Sequence, residues 1–158
     1  MTIRDIQRIP EPPDLLQRLH AMTCYLPTLE DSDFSPGEVH SGERTESGSF
    51  IMPYVVLGDV AEAFVTSAYD RGWVLPGFHW LSWVRSEDAQ ALCNDPSALA
   101  RADPMQLLYL ITALIRQDRF SEGTLLGAFR SRLILGIVRR AAAIVDKEKR
   151  QEDSNFTS

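Results

Sequence analysis

The stretch from Asp103 to Phe120, Asp-Pro-Met-Gln-Leu-Leu-Tyr-Leu-Ile-Thr-Ala-Leu-Ile-Arg-Gln-Asp-Arg-Phe, constrains the fold most. Asp103 is suited to cap the first free amides of a helix. Pro104 fits the first helical position, where a missing N–H is harmless. Leu107, Leu108, Leu110, Ile111, Leu114 and Ile115 then cover most of the helix circumference. A helix so apolar is predicted to lie inside the protein rather than on it. Within one turn the composition flips to Arg116, Gln117, Asp118 and Arg119. Arg116 and Arg119 are one turn apart and near a C-terminus, where positive charge complements the helix dipole.

That polar end has two readings. In the first, an Asp–Arg network ties the end of the central helix to neighbouring loops, since the planar guanidinium suits carboxylates and loop carbonyls. In the second, Arg116 and Arg119 form an anion or phosphate site with Asp118 orienting one of them. Backbone amides at Ser121 to Gly123, the start of the next helix, would then join the same anion.

The remaining chain reads as short helical steps around this rod. Residues 1–13 form a loose, proline-ended leader. Asp14 to Leu26 is a first helix, with Leu15, Leu16, Leu19, Met22 and Tyr25 at helical spacing and Pro27 as its stop. Residues 28–49, rich in Glu, Asp, Ser and Gly, read as a long exposed acidic loop. A minor strand or hairpin is expected at most near 49–56, where Phe50, Ile51, Tyr54, Val55 and Val56 favour extension and Pro53 opposes it. Asp59 can cap a helix from Val60 to about Arg71, with Gly72 as the stop. Ser86, Asp95, Asp103 and Ser121 each read as a cap for a following helix. The last helix spans Leu133 to Lys149, and 150–158 is a frayed tail. The sum is an all-α, single-domain bundle of about five to seven short and medium helices occupying 14–149.

Trp73, Trp80 and Trp83 fall within eleven residues, beside Phe78 and His79. Such a cluster is a core plug or a recognition patch. The last helices add Arg130, Arg132, Arg139 and Arg140, a locally basic stretch set against the acidic loop. Separated charge of that kind suits protein docking.

The net charge of −6 argues against binding driven by nucleic-acid phosphates. No run of roughly 18 apolar residues exists, so no transmembrane helix is expected, and the first residues carry no secretory pattern. Cys24 and Cys93 have no Cys-x-x-Cys spacing and read as reduced cytoplasmic thiols. His20, His40 and His79 show no metal-ligand spacing, so neither a metal nor a cofactor is implied. There is no Gly-x-Ser-x-Gly and no phosphate-binding glycine loop.

Several stretches together resemble one family: Met52-Pro53-Tyr54, the segment from Phe78 to Trp83, the cluster from Ile115 to Phe120, and the helical tail after Ser121-Glu122-Gly123. They are similar to a widespread bacterial domain of unknown function, found in small standalone proteins, over about residues 14–145. The resemblance implies a mostly helical fold and no assigned activity. Two departures stand out. The family pattern places an acid before the first tryptophan of the Trp-x-x-Trp pair, and here it is His79. It places an acid and a glycine in the turn before the last helix, and here these are Arg130 and Arg132. Loss of those acids favours binding over catalysis.

The expectation is therefore a small cytoplasmic, non-catalytic interaction or regulatory protein that occludes a partner protein's surface. Its size and lack of motifs suit an inhibitor or accessory factor of a mobile element or phage-defence system. Candidate contact residues are His79, Trp80, Trp83, Arg116, Asp118, Arg119, Arg132, Arg139 and Arg140. The alternative is a small hydrolase or nuclease built on Arg116, Asp118 and Arg119, with His79 assisting. A homo-oligomer is left open.

Overall fold

The structure is a computed structural model and describes residues 9–156, the side chain of Phe156 excepted. Residues 1–8 of the expected leader and 157–158 of the expected tail lie outside the described residues.

The fold is mainly α. In chain order it comprises α1 (Leu15–Met22), a 3-10 turn (Thr23–Tyr25), α2 (Leu26–Glu30), β1 (Gly37–His40), β2 (Glu43–Arg44), β3 (Phe50–Ile51) and β4 (Tyr54–Leu57). There follow α3 (Asp59–Asp70), α4 (Trp80–Val84), α5 (Glu87–Asn94), α6 (Pro96–Leu99), α7 (Pro104–Asp118), α8 (Thr124–Arg130) and α9 (Leu133–Phe156).

Side-chain caps mark three of the helix starts. The Asp103 carboxylate accepts from the Gln106 amide at 2.9 Å, while the Gln106 side chain accepts from the Asp103 amide at 2.9 Å. This reciprocal box satisfies two amides that the helix itself cannot. Ser86 Oγ accepts from Ala89 N, and Asp95 Oδ1 from Ser97 N, at the starts of α5 and α6.

Three local expectations are corrected. Pro27 does not end a helix. It sits in the first turn of α2, where proline is tolerated, after a tighter 3-10 turn. The stretch 28–49 is not wholly loop. β1 pairs antiparallel with β4, Val39 opposite Val55 and His40 opposite Tyr54, and β2 pairs with β3. The His40 and Tyr54 rings stack at 4.7 Å, a cross-strand pair that fixes the register. Finally, 150–156 is the last part of α9 rather than a frayed tail. Lys147 to Glu152 are strong helix formers, which carry the helix past its apolar stripe.

The core sits where α7 and α9 meet, with α1 and α8 packed on both. Every residue of α7 from Leu107 to Ile115 is buried except Tyr109, which is half-buried. From α9 come Ile134, Leu135, Ile137, Val138, Ala141 and Val145. Each such side chain contributes roughly 1.5–3 kcal/mol before ordering entropy is subtracted. Thr112 is the one fully buried polar side chain among the described residues. Its Oγ1 donates to Leu108 O at 2.7 Å, approaches Trp73 O at 3.2 Å, and accepts from Leu75 N at 3.0 Å. That hydroxyl pins the segment after α3 to the middle of α7.

The same segment is held at its other end by α1. Trp73 is fully buried and its Nε1 donates to Arg18 O at 2.8 Å. Arg18 reaches Gly72 O at 2.8 Å and Asp14 at 2.9 Å. Gly72 has φ of +74°, and a Cβ there would meet the Arg18 guanidinium at 2.8 Å, so the close approach depends on glycine.

Candidate functional site

The nine candidate residues separate into a buried member, an exposed face at the end of α7, and a pocket along α9.

Trp83 is the buried member. It packs beside Phe78 and Tyr109, with ring centroids 5.9 and 5.7 Å away. Phe78 in turn stacks on Tyr109 at 4.3 Å. Together with Trp73 these rings are core, as the plug reading expects. Sequence spacing alone does not separate Trp83 from Trp80, three residues away on the same short helix.

Trp80 belongs to the exposed face. It is half-buried and stacks on Phe120, centroids 6.2 Å apart and planes 18° from parallel. Phe120 is 82% exposed, and Leu81 beside Trp80 is 52% exposed. A phenylalanine so open to water forgoes roughly 1.5–3 kcal/mol of burial in the isolated chain. His79 is exposed at the start of α4, and no hydrogen bond links it to Asp118 among the described residues. In the sequence Phe120 stands just beyond the polar end of the central helix, and no periodicity marks it as exposed.

The polar end of α7 fastens the chain differently from the expected Asp–Arg network. No ion pair joins Asp118 to Arg116 or Arg119 among the described residues. Instead Asp118 Oδ1 accepts from Leu125 N at 3.0 Å, inside the first turn of α8. That amide lies beyond the Ser121 to Gly123 amides of the anion-site reading, of which Ser121 N is itself spent on Gln117 O at 2.9 Å. Ser121 is not the cap: α8 is entered through Gly123 at φ +97°, and Thr124 Oγ1 donates back to Ser121 O at 2.8 Å. Arg119 donates to the hydroxyl of Tyr69 on α3 at 2.7 Å and remains exposed. Arg116 is half-buried, and its Nε has no hydrogen-bond partner among the described residues.

The β-hairpin abuts this turn. Glu122 Oε1 accepts from Val55 N at 2.9 Å, and Val55 lies against Gly123. The hairpin carries its own open apolar side chains, Met52 at 70% and Phe50 at 57% exposed. No local signal gives Glu122 this role, because its partner lies 67 residues away.

Arg132, Arg139 and Arg140 do not join this face. They line a separate pocket of about 470 Å³ between α9 and the pair α5–α6, with Cys93 in its wall. Arg139 pairs with Glu30 at 3.1 Å, both exposed. Arg140 Nε donates to Ala102 O at 2.8 Å. Arg132 has φ of +68°, among the described residues the one non-glycine in the left-handed region. The basic stretch of the last helices is thus partly a concave site, and Arg130 stands apart, reaching Gly37 O at 3.4 Å.

Among the described residues no helix is long and apolar enough to cross a membrane. No curated protein and no solved structure matches the chain. Residues 15–147, which hold the central helix, the aromatic face and the arginine-lined pocket, match a family of unknown function (DUF6508), and the chain belongs to that family.

Proposed function

We propose that this chain is a small non-catalytic interaction protein that covers a partner protein's surface through the aromatic face at the end of α7. The observation that carries this reading is the Trp80–Phe120 stack, with Phe120 82% exposed and Leu81 beside it. Aromatic and arginine side chains are the usual energetic anchors of protein interfaces. Arg119 supplies the charge at the edge: its hydrogen-bond partner is the neutral Tyr69 hydroxyl, so its positive charge stays uncompensated there. The matching partner surface presents an apolar side chain rimmed by Asp or Glu. The hairpin, tied to the same turn through Glu122, extends the contact.

The cytoplasmic setting rests on the reduced-thiol reading of Cys24 and Cys93. An inhibitor or accessory role in a mobile element or phage-defence system rests on small size and the lack of catalytic motifs. The hydrolase or nuclease alternative has less support, since Asp118 is engaged by Leu125 N and Arg119 by Tyr69.

The test is affinity capture from the native host with the wild-type chain, Phe120→Ala and Arg119→Ala, each first shown to be folded. A stoichiometric protein partner retained by the wild type and lost from Phe120→Ala supports the proposal. Equal recovery with all three proteins refutes it.

A further inference from the structure

We propose that the pocket between α9 and the α5–α6 pair is a binding site for a small amphiphilic anion, an oxyanion head on an apolar body. The site is independent of the aromatic face. Its volume, about 470 Å³, falls in the range that takes a small organic ligand.

Its shape follows from one face of α9. Gly136 and the pair Arg139–Arg140, three to four residues apart on α9, look the same way, and Arg132, just before the helix, lines the same pocket. Gly136 keeps the middle of that face bare. A Cβ there would meet Leu99 Cδ2 at 2.6 Å, so glycine is what lets α6 approach α9 and form the opposite wall. Leu92 and Leu99 make that wall apolar. The result is a greasy trough with guanidinium groups at both ends, a combination that neither a purely apolar nor a purely ionic ligand satisfies.

The arginines retain donors for a ligand. Arg140 spends its Nε on Ala102 O, which fixes the plane of the guanidinium and leaves its terminal nitrogens without a hydrogen bond among the described residues. Arg139 meets one carboxylate, Glu30, in an exposed pair that contributes little by itself. The Arg132 side chain makes no hydrogen bond or ion pair among the described residues, and its backbone is held in a conformation that favours glycine. Three positive charges therefore face one carboxylate. The planar fork of arginine matches carboxylate and phosphate oxygens two at a time.

Cys93 gives a direct readout, because it lies in the pocket while Cys24 lies outside it and both are exposed. The experiment measures iodoacetamide alkylation of each cysteine with dodecanoate, dodecyl phosphate, dodecyltrimethylammonium or inorganic phosphate, all below micelle formation. The site predicts slowed alkylation of Cys93 with dodecanoate or dodecyl phosphate, and an unchanged rate at Cys24. Whichever of the two protects at lower concentration identifies the head group as carboxylate or phosphate. Arg132→Gln and Arg140→Gln each weaken protection by about tenfold, the loss expected for one charge-assisted contact. Should Arg140→Gln fail to fold, Arg132→Gln alone decides, since it breaks no side-chain hydrogen bond among the described residues.

Equal protection by dodecyltrimethylammonium overturns the proposal, because the arginines then select nothing. Equal protection by inorganic phosphate also overturns it, because the apolar walls then contribute nothing. No protection by any probe, or full protection in Arg132→Gln, overturns it as well.

Discussion

The carboxylate of Asp118, in the last turn of the central helix, accepts the amide hydrogen of Leu125, in the first turn of the next, at 3.0 Å. One side chain therefore ends α7 and starts α8, and it holds the turn that carries Phe120. Replacing it with alanine leaves a first-turn amide without its partner. Asp118→Ala is expected to destabilise the fold by about 1 kcal/mol, the usual loss of a capping side chain. For a chain of this length that lowers the melting temperature by about 2–4 °C. Asp118→Asn, which keeps an acceptor oxygen, is expected to lose less. Thermal melts of the two variants check the order.

Thr112 predicts a larger loss. Thr112→Val keeps the shape but strands the buried Leu75 amide. An unpaired buried group costs about 1–3 kcal/mol. Thr112→Ser restores the hydroxyl and is expected to recover most of that loss, at the expense of one methyl. Urea unfolding of the three proteins measures both steps.

Arg132 predicts a change of opposite sign. Its φ of +68° favours glycine over any side chain with a Cβ. Arg132→Gly is expected to raise stability by roughly 0.5–1 kcal/mol, after the added freedom of the unfolded chain is counted. The same variant is expected to bind an anionic amphiphile more weakly. Gain of stability together with loss of binding is the signature of strain retained for a site. A variant that loses stability would place Arg132 in a structural role instead.

Cys93 carries the pH dependence. Although the residue is exposed, partial burial of its thiol disfavours the thiolate and pushes the pKa above the ordinary value of 9.0. The folded state thus favours the neutral thiol. The stability this adds is full below the unfolded pKa and falls as pH rises through the higher folded value. The alkylation profile of Cys93 in the folded chain is expected to lie at higher pH than in the same chain unfolded by urea. Coincident profiles would contradict this.

The parts of the fold that could be read from the sequence are those set by local signals. Ser86, Asp95 and Asp103 announce their helices because a capping side chain acts within three residues. The apolar circumference of α7 likewise predicts its burial. β1 escaped notice because a strand depends on its partner, and Val39 meets Val55 only through tertiary pairing. The end of α9 escaped because its last turns rest on helix propensity rather than apolar spacing. At the candidate site, residue types were legible and geometry was not. Asp118 and the arginines stand out as charges after an apolar rod, yet nothing local says that Asp118 turns to Leu125 and Arg119 to Tyr69. The arginines of α9 look like a surface stripe until α5 and α6 are folded against them.

The most direct test of the docking face is site-specific photo-crosslinking in the native host, with a benzophenone amino acid in place of Phe120. A control protein carries the same group at Gln151, exposed on α9. The account predicts one discrete protein adduct from position 120, absent from position 151 and abolished by Arg119→Ala in the same chain. No adduct from position 120, or the same adducts from both positions, would contradict it.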